Sequence, residues 1–138
     1  MAGPLLVGFD GTPGAQAAAA EALALASDLG AEVVFAFAYW SNPQGGDVAD
    51  MLAALRELGE GHLRDAQALA EAAGVRSGIE LVNAAPSVGL VDLGDRYDAR
   101  MIVVGSYGEA PLKGALIGST AHKLVHLSER PVLVVRAK

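Results

Sequence analysis

The sequence predicts an α/β fold: a doubly wound, five-stranded parallel sheet with helices on both faces. Three observations predict it. Short apolar runs alternate with segments of helical periodicity along the whole chain, giving β-α-β-α-β-α-β-α-β. Two of those runs, Leu5–Phe9 and Met101–Val104, are apolar at successive positions, as expected of strands covered on both sides. No internal repeat, linker or shift in composition divides the 138 residues, so one domain accounts for residues 1–138.

Each element has a local reason. Leu5–Phe9 is the first strand and ends at Asp10. Thr12 is an N-cap residue followed by Pro13 at the first helical position, and the helix runs to Leu29, where Gly30 stops it. Its polar residues Gln16, Glu21 and Asp28 fall near one face. Glu32–Tyr39 is the second strand, rich in Val and Phe. Ser41–Gly46 carries Gly, Pro and Asn and reads as a loop. Asp47–Ala73 has Met51, Leu52, Leu55, Leu58, Leu63, Ala66 and Leu69 at helical spacing, weakened by Gly59 and Gly61 and ended by Gly74. Ile79–Val82 is the third strand. Pro86 starts a helix to Tyr97 in spite of Gly89 and Gly94. Met101–Val104 is the fourth strand, Thr120–Leu127 a helix, and Val132–Arg136, after Pro131, the last strand.

Composition narrows the function. There is no cysteine, which removes disulfides and thiolate metal sites. The longest apolar stretch, Ala17–Ala26, is interrupted by Glu21 and is far shorter than the roughly 20 residues that span a bilayer. The N-terminus lacks a basic region and a cleavage pattern, so a soluble, cytoplasmic protein is expected. A net charge of −6 argues against nucleic acid or an anionic membrane as partner, but not against a single nucleotide held by backbone N–H groups.

The chemistry concentrates in a glycine framework. Gly105-Ser106-Tyr107-Gly108 is followed after nine residues by Gly118-Ser119-Thr120, between an apolar strand and a helix start. Glycines let backbone N–H groups approach a phosphate, and a helix N-terminus adds unpaired donors and a favourable dipole. The expected ligand is a nucleotide phosphate chain. This is not a Walker A loop, because no lysine stands between Gly118 and Ser119; Lys113 within the loop either reaches a phosphate or is a solvated surface lysine. Gly8, Gly11 and Gly14 have the wrong spacing for a dinucleotide fingerprint. Asp10, at a strand C-terminus, reads as a ribose-contacting or metal-linked carboxylate, or else as a turn and cap aspartate. His122 and His126 have the i, i+4 spacing of a zinc pair, but no third ligand is evident and an exposed helix face explains them better. Ser119 with His122 makes no convincing nucleophile and base, and Ser119 is more simply a helix cap. His62 reads as structural. Tyr39 and Trp40 either wall the ligand or cover the core.

On these residues the chain resembles the universal stress protein family. Its nucleotide-binding members carry Gly-x2-Gly-x9-Gly-(Ser/Thr), which Gly105, Gly108, Gly118 and Ser119 match without a gap. Asp10-Gly11-Thr12 after the first strand, Met101–Ser106 before the loop and Pro131–Arg136 at the end agree as well. The resemblance implies strand order 3-2-1-4-5, an adenine nucleotide such as ATP (with Mg2+) as ligand, and a homodimer. Carried over by position, it implies phosphate contacts from Gly105, Gly108, Gly118, Ser119 and Thr120. It puts Asp10 near the ribose and phosphates, directly or through a metal ion, and lines the adenine and ribose side with Gly8, Ala38 and Val104. Tyr107 departs from the His or Arg common at that position, and Phe37-Ala38 from a frequent His-Val pair.

Two functions compete. In the first, bound ATP regulates the protein by stabilising one state, with slow or no hydrolysis and no catalytic residue. In the second the chain hydrolyses ATP or transfers its phosphate, which needs a positioned nucleophile and charge stabilisation that the sequence does not plainly supply. A third reading is a ligand-free dimeric interaction module. The last strand, Val132–Arg136, would lie at a sheet edge, protected either by pairing with its copy in a second subunit or, in a monomer, by Pro131, Arg136 and Lys138.

Overall fold

The computed structural model describes residues 3–40, 48–106 and 117–137. Its elements follow the expected alternation: β1 Leu5–Gly8, α1 Pro13–Leu29, β2 Val33–Tyr39, α2 Val48–Ala72, β3 Ser77–Asn83, α3 Pro86–Tyr97, β4 Met101–Gly105, α4 Ser119–Leu127 and β5 Val132–Val135. All pairings are parallel, in the order β3-β2-β1-β4-β5. The sheet grows outwards from β1 to β3 on one side. It then crosses back to β4, so the gap between β1 and β4 is where the winding reverses.

Burial follows the alternation of strand side chains. Leu5, Val7, Phe9, Val33, Phe35 and Phe37 face α1 and α2, whereas Leu6, Val34, Ala36, Ile102 and Val104 face α3 and α4. The inner stripe of α1 is Ala15, Ala18, Ala19, Ala22 and Ala26, each nearly or fully buried. So small a stripe lets the helix axis come close to the sheet. Thr12 caps α1 by accepting from the Ala15 N–H at 3.3 Å, and Gly30 ends it in the left-handed conformation at φ 66°.

Several boundaries differ from expectation. The third strand gains residues at both ends, Ser77 to Asn83 instead of Ile79–Val82, because all seven pair with Val33–Tyr39. β5 stops at Val135, where its ladder with β4 ends at Gly105. The helix α3 forms through both of its glycines. A Cβ at Gly89 would stand 2.8 Å from Val82 Cγ1, and one at Gly94 3.2 Å from Arg130 Cδ, so these glycines are places of close packing. The Arg130 guanidinium closes this corner. It donates to Ala99 O at 2.7 Å, to Asp98 Oδ1 at 3.3 Å and to Asp95 Oδ1 at 3.2 Å. On the other side of the same helix end, Tyr97 donates its hydroxyl proton to Glu80, which holds the phenol above its usual pKa. The Ser41–Gly46 loop lies outside the described residues.

Candidate functional site at the carboxyl edge of β1 and β4

The candidate site is built where β1 and β4 end. β1 leaves the sheet at Gly8, and Phe9 N–H still bonds Ala36 O at 2.8 Å, so Asp10 emerges beside the end of β2. Asp10 Oδ1 accepts from Thr12 N–H at 3.1 Å and from Thr12 Oγ1 at 2.5 Å. That is a turn-forming aspartate, as the local reading allowed. Among the described residues this use is confined to Oδ1 of an exposed carboxylate. Gly11 takes φ +80°, which brings the chain sharply back into α1.

Gly105 ends β4 against the start of α1. A Cβ there would lie 2.6 Å from Gly14 C and 2.7 Å from Gly14 O. Glycine at this position therefore lets the amino end of α1 sit directly on the end of β4, whatever its role toward a ligand. Ser106 is buried, and its N–H bonds Val135 O at 2.8 Å. Its carbonyl accepts the Gly118 N–H, so the two stems of the glycine loop are tied to each other at the neck. Gly118 is the N-cap of α4 with no side-chain cap, and the first intrahelical bond runs from His122 N–H to Gly118 O at 2.9 Å. The N–H groups of Ser119, Thr120 and Ala121 precede that bond and face the loop end of the helix without an intrahelical acceptor. A phosphate or carboxylate is the natural partner for such donors.

Not every residue singled out from sequence comes together here. Gly8 and Val104 touch: a Cβ on Gly8 would be 3.2 Å from Val104 Cγ1 and 3.1 Å from Leu90 Cδ1. Both face the α3 side, where Val104 is 5% exposed. Ala38 is half-buried near the end of β2, paired with Val82. Gly108 and Lys113, with Tyr107, lie outside the described residues. Trp40 is 57% exposed at the end of β2, and the Tyr39 hydroxyl accepts from Arg56 at 3.2 Å.

Two features were not read as part of a site. α2 has 25 residues, about 37 Å of helix, against strands of seven residues or fewer that span at most about 23 Å. Its buried residues begin only at Gly59, so residues 48–58 are the less covered end of the helix. His62, read as structural, comes from that helix and lies on the Asp10–Gly11 turn. A Cβ at Gly11 would meet His62 Cε1 at 2.3 Å and Nδ1 at 2.4 Å. Local periodicity gives no sign of this contact, because it joins residues 51 positions apart. The His122 and His126 rings lie 4.9 Å apart on an exposed face, and no group of three or more candidate metal ligands occurs among the described residues. Mg2+ at Asp10 would thus need oxygens from a phosphate chain to complete its shell, the usual arrangement for this ion. No described helix is long and apolar enough to cross a membrane.

Comparison with known proteins agrees with this fold. Residues 1–136 match the model of the universal stress protein family. A universal stress protein of Methanocaldococcus jannaschii is 28% identical over 137 residues, covering 96% of this chain and 81% of that protein. One from Mycobacterium tuberculosis is 32% identical over 138 residues, and there the chain spans only 45% of the relative's length. Among solved structures, a universal stress protein in complex with cAMP superposes with a TM-score of 0.79 at 29% identity, over 99% of this chain and 98% of the other. The chain belongs to the universal stress protein family.

Proposed function

We propose that the protein binds an adenine nucleotide, ATP with Mg2+ by preference, between the ends of β1 and β4, and acts as a regulatory stress-response protein with slow or no hydrolysis. The observation that carries the reading is the tied neck of the glycine loop. The Ser106–Gly118 bond ties the end of β4 to the uncapped first turn of α4. Backbone donors are thereby gathered at the point where the sheet reverses its winding. The relative solved with cAMP supports an adenine nucleotide as the ligand class. On this reading Gly105, Gly108, Gly118, Ser119 and Thr120 serve the phosphates with Lys113, while Asp10 serves the ribose or the metal. Gly8, Ala38 and Val104 form the adenine and ribose side.

Slow or absent hydrolysis follows from charge. Among the described residues, no lysine or arginine pairs with Asp10 or with the first turn of α4. Lys113 and Mg2+ would compensate part of the charge on a transferred phosphoryl group, but residues 105–120 hold no arginine and the sequence offers no clear base to activate a nucleophile. Titration calorimetry of Mg-ATP into nucleotide-free protein tests the reading. One site per chain is expected, with Gly118→Val losing at least tenfold in affinity while keeping its circular dichroism. Equal binding by both proteins, or no binding by either, would refute it.

The oligomer belongs to the same proposal. Among the described residues β5 pairs only with β4, its four residues are all half-buried, and Val125 and Leu127 of the adjoining α4 are 56% and 53% exposed. A two-fold pairing through Val132–Arg136 would cover that edge. Sedimentation equilibrium is expected to give twice the chain mass, and a monomer at micromolar concentration would refute it.

A further inference from the structure

We propose that His62 is a ligand-contacting residue of the nucleotide site, supplying from α2 a polar group for the ribose–phosphate part of the nucleotide. The inference rests on the nucleotide-binding reading and adds to it a wall that the glycine loop does not include. Three observations place the imidazole. α2 is held at this height and rotation by Gly59, where a Cβ would stand 2.3 Å from Phe37 Cδ1, and by the fully buried Leu63. His62 therefore has little freedom to turn away, and its ring lies 5.9 Å from the Phe37 ring at an interplanar angle of 35°. Its other side covers Gly11. The atoms nearest to a Cβ built there are Cε1 at 2.3 Å, Nδ1 at 2.4 Å and Nε2 at 2.9 Å, so the ring presents its nitrogen-bearing edge to the turn.

The polar capacity of that edge is unspent. His62 makes no hydrogen bond to another described residue, and it is only partly exposed. An imidazole always has at least one N–H to donate. A half-covered imidazole whose sole work was to fill space would serve as well with carbon in place of nitrogen. Here the nitrogens lie on the Gly11 turn that follows β1, one residue along the chain from Asp10, at the carboxyl edge of the sheet. A donor at this point adds a side-chain contact to the backbone donors of α4 and orients the sugar relative to Asp10.

The test uses AMP and Mg-ATP titrated into the wild-type protein, His62→Ala, His62→Gln and Gly118→Val, with ring 15N spectra of histidine-labelled protein. Expected is a loss of about tenfold in affinity in His62→Ala, the scale of one hydrogen bond to a charged group. His62→Gln, which keeps a donor, should recover most of it. The His62 ring signals should shift saturably with the same dissociation constant, while those of His122 and His126 move less. Wild-type binding with His62→Ala within twofold, or with unmoved His62 ring signals, overturns the inference and leaves the nucleotide reading standing. No binding by the wild type overturns both.

Discussion

Replacing Gly11 with alanine is expected to cost about 2–4 kcal/mol of stability, from backbone strain and overpacking together. The first part is conformational: φ is +80°, and an alanine there carries its Cβ into a region that L-residues avoid. The second is steric, since the new Cβ would fall 2.3 Å from His62 Cε1 and the ring would have to swing off the turn. The melting temperature should drop by on the order of 10 °C for a chain of this size. The two parts separate in a double-mutant cycle. His62→Ala in the Gly11→Ala background should restore the steric share and leave the conformational share untouched. Denaturant unfolding of the four proteins measures both. Additive single effects would show that the ring and the turn are not in contact, and would remove the geometric basis for placing His62 in the site.

Gly105→Ala is expected to cost about 3 kcal/mol, the upper end of what overpacking usually does. Its Cβ would be aimed at backbone, 2.6 Å from Gly14 C, 2.7 Å from its O and 3.0 Å from its Cα. No rotamer change relieves such a clash; either the first turn of α1 lifts or the end of β4 bends. Both would move Asp10 and Thr12 relative to the stems of the glycine loop, because Thr12 is the cap that starts α1. Nucleotide affinity should therefore fall further than the lost stability alone explains, when binding is measured well below the unfolding transition. A Gly105→Ala protein as stable as wild type would mean that α1 does not seat on β4 as described.

These glycines also show how far the chain could be read before its structure was known. Strand and helix identities were legible because their causes are local. Thr12-Pro13 and Gly30 bound α1, and they sit where capping chemistry requires. Continuous apolar runs marked β1 and β4 as strands buried on both faces, and both lie inside the sheet. The glycine spacing at 105, 108 and 118 was legible as a candidate cradle for the same reason, although Gly108 and Lys113 lie outside the described residues.

Strand order was expected only through family resemblance, since periodicity says which face a residue takes and nothing about which strand lies next to which. The ends of β3 and β5 differ from expectation by a residue or two because a strand ends where its neighbour stops pairing. Gly89 looked like a weakness in α3, yet it is where that helix approaches Val82. Gly105 looked like a phosphate-loop glycine, yet the start of α1 requires it as well. His62 looked like a structural residue of a long amphipathic helix until α2 was laid beside β2 and its imidazole fell on the turn at Gly11. Hydrogen-bond caps and hydrophobic periods act over a few residues, so the chain specifies them wherever it goes. Close approaches between elements depend on how whole helices settle on the sheet, and only the packed molecule decides them.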